Sequence, residues 1–468
     1  MIVHKFGGTS LGNAERFANV AEILTEYTRS TQDLHQKSVV VVSAMSGVTG
    51  QLIAGARAAA EGRDTFYRKI KAEILSRHLD VIESLLGQSS ERLDVGGLVE
   101  DRLHDLERLY RSIAILGELT VRGSDAVASF GEQLSVSILA AVLREKGVRA
   151  QGVSATETIV TDDSYGAATP LMDKTRERLQ MRIVPLVERG VLPVVTGFIA
   201  ATEQGVPTTL GRGGSDFTAA ILGAGLQADE VWIWSDVDGI LTADPNIVPH
   251  ARTLTELSYN EAADLAYFGA DVLHPKTIRP VIQNSIPLRI LNSFNPGHPG
   301  TLIVEVPSPG RQLLPSIIST SALTMIAIGS QDDSWTLAMA ARALQHLSSA
   351  GADVLMFSQS FSEHSLNLVV RKEDQAHCLS VLGRELCAGC SLGTTEEVAT
   401  ISVVGVPGWN ETGIVSHAFA ALGKHGTRVI TVAQAATEYS VSFCIPQDQV
   451  ADAVRFLHRE LGLENGEH

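Results

Sequence analysis

The sequence predicts an α/β protein: a mostly parallel sheet covered by helices, followed by a smaller, internally duplicated region. Three observations predict it. Short apolar runs alternate with helical stretches from residue 1 to about residue 303. Glycine-rich turns fall at the carboxyl ends of those runs. A polar pattern near residue 354 returns near residue 429. Alternation points to parallel strands, because each crossover must carry the chain back to the start of the next strand. Ligands of such sheets sit at the carboxyl ends of the strands.

The expected strands are 2–6, 39–44, 192–198, 231–235 and 288–292. The second opens on four valines, Val39 to Val42, which suits a strand buried on both faces. Helical periodicity covers 14–27, 98–116, 126–146 and 217–226. Residues 306–311, with Pro307, Pro309 and Gly310, read as a linker. Beyond it the repeat begins. Val354-Leu-Met-Phe-Ser-Gln359-Ser-Phe-Ser362-Glu363-His-Ser365 matches Val429-Ile-Thr-Val-Ala-Gln434-Ala-Ala-Thr437-Glu438-Tyr-Ser440 at a fixed offset of 75 (434 − 359 and 440 − 365). Each copy follows a helical stretch, 335–349 or 412–425, so a duplicated β-α-β-β-α unit is expected. Two uses are open for it: a ligand site or plain structural duplication.

Composition narrows the function. The 468 residues carry 37 Lys plus Arg against 53 Asp plus Glu, a net charge of −16, which argues against a basic nucleic-acid footprint. With 44% apolar and 19% charged residues the chain is globular in composition. No uninterrupted apolar run reaches the ~18 residues of a membrane helix, and the N-terminus MIVHKFGGTS lacks a signal-peptide pattern. Four cysteines make a secreted disulfide framework unexpected. A cytoplasmic protein without nucleic-acid or membrane partners is the expectation.

Two turns carry the chemistry. Lys5-Phe6-Gly7-Gly8-Thr9-Ser10 follows the first strand. Its glycines allow close approach of a phosphate to the backbone, and Lys5 adds a positive charge. The lysine precedes the glycines, so this is not a Walker A loop, and a plain tight turn is the competing reading. Thr209-Leu-Gly211-Arg212-Gly213-Gly214-Ser215-Asp216 leads into an apolar helix. Asp216 there reads as a helix cap or a site carboxylate, and Arg212 as a surface charge or an anion contact. Two cation-bearing glycine turns on one parallel sheet point to an anionic ligand between them. Trp234-Ser235-Asp236-Val237-Asp238-Gly239 ends another strand, and Phe130-Gly131-Glu132-Gln133 lies on a helix with Glu132 facing either solvent or the site.

Taken together, K-F-G-G-T-S, V-V-S-A-M-S-G-V-T at 41–49, G-E-Q at 131–133, L-G-R-G-G-S-D at 210–216, W-S-D-V-D-G at 234–239 and the run from Tyr267 to Pro275 resemble the motif set of the aspartate kinases, in the amino-acid kinase superfamily. The likeness is strongest to the kinase half of bifunctional aspartokinase–homoserine dehydrogenases. The duplicated region resembles tandem ACT regulatory domains. The resemblance implies an amino-acid kinase-like αβα sandwich over 1–303 and two ferredoxin-like ACT units over 312–394 and 395–468. It implies ATP-dependent phosphorylation of L-aspartate to 4-phospho-L-aspartate, the first step toward lysine, threonine and methionine, with ATP and Mg²⁺ and no dedicated metal cage. Lys5 and Asp216 would be catalytic. Lys5, Gly7, Gly8, Ser10, Ser235, Asp236, Leu241 and Asn246 would meet the nucleotide. Ser43, Thr49, Glu132, Arg212 and Ser215 would hold aspartate. A homodimer or homotetramer through the ACT units and an amino-acid effector, lysine or threonine, are implied as partners.

The sequence also departs from that pattern. Asp271 stands where the family has a lysine, Leu241 where it has a tyrosine, and Asn246 where it has an arginine. All three fall on the nucleotide side, and Lys276 is a candidate substitute cation. The rival readings are therefore an amino-acid sensor with a degenerate nucleotide site and a kinase for another small acid. In the regulatory half, Gly405, Gly408 and Gly413 accompany Gln434, whereas Gln331-Asp332-Asp333-Ser334 accompanies Gln359. Acids repel an effector carboxylate, so of the two effector candidates Gln434 is preferred over Gln359. Cys387-Ala-Gly-Cys390, with His377 and Cys378 upstream, reads as a zinc pair, a redox pair or two small apolar residues at a helix end; the last is expected.

Overall fold

The computed structural model describes residues 1–31, 37–267, 275–311, 314–330, 336–360, 365–386, 390–405, 413–434 and 440–464. It divides into two compact units. The first holds residues 1–240, 255–259 and 272–309, the second 241–254, 260–271 and 310–468.

The first unit opens with β1 (Ile2–Phe6), α1 (Ala14–Thr31), β2 (Ser38–Val42), α2 (Val48–Ala60), α3 (Asp64–Leu86), α4 (Ser90–Leu116) and α5 (Val121–Glu145). It continues through β3 (Ala150–Val153), β4 (Val160–Thr161), α6 (Met172–Arg182), α7 (Val184–Glu188), β5 (Leu192–Thr196), β6 (Ile199–Thr202), β7 (Pro207–Thr209), α8 (Gly214–Leu226) and β8 (Glu230–Ser235). The remaining elements before the linker are β9 (Glu256–Ser258), α9 (Tyr259–Tyr267), which past its first residue belongs to the second unit, α10 (Pro275–Gln283), β10 (Leu288–Asn292) and β11 (Thr301–Val304). The main sheet has eight strands in the order β3-β5-β2-β1-β8-β10-β11-β9. Its pairs are parallel except β10 with β11. This is the α/β architecture expected.

Register explains where a site forms. Phe6 pairs with both Val42 and Trp234, and Val42 pairs with Thr196. Four parallel strands therefore reach this edge together, so Gly7, Ser43 and Gly197 leave the sheet beside Ser235, the last residue of β8. The strands are deeply set: all five residues of β1 and the four valines of β2 are buried. α5 is long and apolar enough to cross a membrane by length and composition, but 78% of its apolar window is buried, as for a core helix. One strand is shorter than expected. β5 stops at Thr196 because Phe198 takes a left-handed backbone, φ 65°. That conformation is costly for a bulky residue and ends the ladder.

The second unit is built on a 75-residue repeat. Its elements are β12 (Ser316–Ser330), α11 (Leu337–Ser349), β13 (Val354–Ser360), β14 (Ser365–Arg371) and α12 (Gln375–Glu385), then β15 (Cys390–Val404), α13 (Ile414–Lys424), β16 (Thr431–Gln434), β17 (Ser440–Pro446) and α14 (Val450–Glu460). The six strands run β13-β14-β12-β15-β17-β16, symmetric about the central pair. Even the irregularities repeat: Ala322 and Glu397 are both left-handed, φ 58° and 55°, and are 75 residues apart (397 − 322). They break the two long strands in half. Ile317, before the break in β12, packs with Ile401, Val441 and Phe443 of the second repeat. Ile326 and Ile328, after the break, pack with Leu366 and Leu368 of the first. The first repeat is thus inserted between strand 316–320 and the rest of the second. The outer strands approach each other as well, with Ser358 Oγ 2.6 Å from Thr431 Oγ1.

Candidate active site

Lys5 is the fourth residue of the fully buried β1, and only 8% of it is accessible. Its ammonium emerges at the strand end and pairs with the Asp216 carboxylate at 2.5 Å. Asp216 lies in the first turn of α8, where a carboxylate suits the helix dipole. Gly213, at φ 69°, caps that helix, a conformation open to glycine at little cost. The G-R-G-G-S-D turn therefore delivers Arg212, Ser215 and Asp216 to one edge.

These groups line one cavity of about 690 Å³. Lys5 and Gly8 come from the β1 turn, Ser43 and Thr49 from the β2 turn and α2, Glu132 from α5, and Arg212, Ser215 and Asp216 from the turn before α8. Arg212 is exposed at its mouth, whereas Ser43, Thr49 and Ser215 are half-buried.

Glu132 does not face solvent. It is 3% exposed, and its Oε1 accepts the Ala44 N–H at 3.2 Å. Its Oε2 is buried with no partner among the described residues. Burial pushes the carboxyl pKa up to about 8; the Ala44 N–H pulls the other way by less. Gly131 makes this placement possible, since a Cβ there would stand 2.7 Å from the Ala44 Cβ. Only a bare backbone lets α5 come so close to the β2 turn.

The remaining expected residues fall elsewhere. Gly7 sits between the ends of β1 and β8: a Cβ on it would be 3.4 Å from Lys5 Nζ and 4.0 Å from the Trp234 carbonyl. Ser10 is turned inward, its Oγ 2.9 Å from Ser293 Oγ and its amide donating to the Gly7 carbonyl. Ser235 closes a turn by accepting the Val237 N–H, and Asp236 is exposed beyond it. Leu241 and Asn246 belong to the second unit, where the Leu241 carbonyl accepts Ser316 Oγ–H and Asn246 donates to Asp244. Gln359 is half-buried and its buried Nε2 has no partner among the described residues, whereas Gln434 is exposed. Asp271, residues 331–335, Cys387 and Gly408 lie outside the described residues, as does the side chain of Lys276. Cys378 is buried in the core of the first repeat, where burial raises its thiol pKa. Among the described residues no group of three or more His, Cys, Asp or Glu is placed to hold a metal.

Three residues in the cavity wall or bonded to it carry no motif signal in the sequence. Phe198 lines it in the left-handed conformation, its N–H held by Thr218 Oγ1 at 3.0 Å. Arg77 of α3 donates to the carbonyls of Ser46 (2.7 Å) and Gly12 (2.8 Å), tying the Ser46 turn of the wall to the segment between β1 and α1. Asp125 of α5 is buried and accepts three hydrogen bonds. A lone Arg or Asp on a helix carries no sequence signal that it serves a distant loop.

The amino acid kinase family matches residues 1–292, and the ACT domain matches residues 401–461. Aspartokinase 1, chloroplastic, of Arabidopsis thaliana is 32% identical over 99% of this chain and 80% of its own length. The chain belongs to the amino acid kinase family, among the aspartokinases. The bifunctional aspartokinase/homoserine dehydrogenase 1, chloroplastic, of Zea mays is 33% identical over 97% of this chain. The chain spans about half the length (50%) of that relative. Escherichia coli aspartokinase III in complex with aspartate and ADP (R-state) superposes with a TM-score of 0.81, at 27% identity over 98% of this chain and 99% of that one. The same protein in complex with lysine and aspartate (T-state) gives 0.79, over 99% of both chains. Within the family, the cavity under Lys5, Glu132 and Arg212 is the candidate active site.

Proposed function

We propose that this aspartokinase transfers the γ-phosphoryl group of ATP to the β-carboxylate of L-aspartate, giving 4-phospho-L-aspartate and ADP in the cytoplasm. The observation that carries the reading is Glu132: a buried carboxylate with a free oxygen, in the same cavity as Arg212. A free amino acid offers an ammonium for the first and an α-carboxylate for the second, which the guanidinium can meet as a fork. Ser43, Thr49 and Ser215 add hydroxyls around that pair. The aspartate and ADP bound by Escherichia coli aspartokinase III support the same choice of substrate and nucleotide.

The chemistry asks little of the protein in covalent terms. A β-carboxylate with a pKa near ~4 is ionised at neutral pH and needs no general base. Catalysis then rests on positioning and charge neutralisation. Lys5 meets the transferring phosphoryl oxygens, Asp216 keeps its ammonium aimed, and Gly7 and Gly8 bring backbone close to the phosphates. Ser10 shapes this turn. Ser235 and Asp236, at the next strand end, are assigned to the nucleotide; Leu241 and Asn246 are assigned to it on motif resemblance alone. Mg²⁺ would arrive on the nucleotide, held by phosphates and water, and would neutralise phosphate charge.

The catalytic part is assigned to 1–303 and the regulatory units to 312–394 and 395–468, with strand 316–320 lent to the second, as a homodimer or homotetramer joined through these units. An amino-acid effector, lysine or threonine, acts there; the lysine bound by Escherichia coli aspartokinase III supports this class. The deciding experiment is a coupled ADP-release assay with Mg-ATP and aspartate, glutamate, acetylglutamate or carbamate. Release with aspartate alone is expected. Release with another acid moves the substrate, and none with any acid leaves an amino-acid sensor.

A further inference from the structure

We infer that Asp125 is a positioning residue that sets the spacing between the two groups reading the amino-acid substrate, Glu132 and Arg212; this rests on the aspartate-kinase reading above. Asp125 precedes Glu132 by seven residues on α5, two helical turns, so the two carboxylates share one face. They are used in opposite ways. Glu132 leaves one oxygen unpartnered, whereas both oxygens of Asp125 are occupied.

The partners of Asp125 are the reason for the assignment. Its Oδ2 accepts the Gly166 N–H at 2.8 Å and the Thr209 N–H at 3.1 Å. Its Oδ1 accepts the Thr209 hydroxyl at 2.8 Å. Gly166 lines the cavity. Thr209 ends β7, three residues before Arg212. The 162–169 loop also rests on Gly211, whose φ is 77° and where a Cβ would stand 3.3 Å from both the Ala167 Cβ and the Gly166 carbonyl. One buried carboxylate therefore ties the helix that carries the ammonium-binding acid to the turn that carries the carboxylate-binding arginine. Without it, α5 and that turn lose their shared anchor, and the distance between the two counter-charges is no longer fixed. The γ-phosphoryl side, built on Lys5 and Gly8, has no bond to Asp125.

The test compares Asp125→Ala, Asp125→Asn and Thr209→Val in the full chain. Asparagine can keep the two amide bonds through its oxygen and donate its NH2 to the Thr209 hydroxyl oxygen, so it should rescue. Asp125→Ala should raise KM for aspartate on the order of 10-fold, as for lost hydrogen bonds to a charged group, and change KM for ATP far less. Hydrogen exchange should show the Gly166 and Thr209 amides losing protection in Asp125→Ala and keeping it in Asp125→Asn. Thr209→Val, which removes one bond of three, should give the same KM ranking more mildly and covers the case in which alanine does not fold. The inference is overturned if these amides stay protected, if both KM values rise together, or if asparagine fares no better than alanine. A wild-type chain that releases no ADP with aspartate overturns the functional reading, and this is separable because the amide-protection comparison is made without substrate.

Discussion

The Lys5 ammonium and the Asp216 carboxylate form an ion pair 2.5 Å long, with only 11% and 17% of their side chains accessible. It joins the end of β1 to the start of α8. Two charges this far from water are held by each other, and removing one strands its partner. The pair also fixes the direction in which Lys5 presents its positive charge before any phosphate arrives, as electrostatic preorganisation requires.

Lys5→Ala is therefore expected to lower kcat on the order of 10²-fold, the scale of losing one preorganised charge donor. It should also lower the unfolding midpoint, because Asp216 loses its counter-charge. Steady-state kinetics on a variant with native circular dichroism checks this. A kcat equal to wild type would remove Lys5 from the mechanism.

Arg212 is exposed at the cavity mouth, so its loss should leave the fold intact. Its assigned contact to the α-carboxylate is made equally in ground and transition states. Such a contact shows in KM rather than kcat. Arg212→Ala should raise KM for aspartate more than KM for ATP. The reverse ranking would assign the guanidinium to phosphate.

The regulatory repeat yields a prediction that differs from the sequence preference. Acids near Gln359 argued for Gln434 as the effector contact. Yet the buried Nε2 of Gln359 has no partner among the described residues, and Gln434 is exposed. A buried donor without a partner costs free energy that a ligand carboxylate or carbonyl would recover. Inhibition by lysine or threonine at millimolar levels is expected, and Gln359→Ala should weaken it at least as much as Gln434→Ala. The readout is the inhibitor concentration for half-maximal effect, each curve normalised to its own uninhibited rate. No inhibition of the wild type by either amino acid would leave the repeat as an assembly platform.

The contrast shows what was legible before the structure. Strand ends and their glycine turns were readable because apolar runs and special backbone positions leave local marks; β10 was bounded to the residue. So was the 75-residue repeat. The insertion of one repeat within the other was not, since nothing local in Ser316–Thr320 tells which of the two similar repeats it joins. Phe198 was read into a strand because its left-handed backbone is imposed by tertiary contacts, not by residue type. Asp125 and Arg77 were silent because their partners are mostly backbone groups, which every residue has. Glu132 was ambiguous from periodicity alone, and only the close approach at Gly131 resolves it.

That placement leads to a proton-linked prediction. With one oxygen unpartnered and burial pushing its pKa up to about 8, Glu132 in the empty site is protonated at neutral pH. A bound ammonium stabilises the carboxylate form and pulls the pKa down. Binding must then expel the proton. At pH 7, aspartate should bind with release of about one proton, and its affinity should rise with pH, levelling above about pH 8. Isothermal titration in buffers of different ionisation enthalpy measures the release. Stability carries the opposite sign. The folded carboxyl titrates near 8 and the unfolded one near 4.5, so between these values the native state holds the extra proton. The empty protein should therefore lose stability as pH rises through that window, and Glu132→Gln should remove that part of the slope. Glutamine should also abolish the proton release while raising KM for aspartate. A binding enthalpy that is the same in every buffer would mean that Glu132 is already ionised in the empty site, and the ammonium would need another partner.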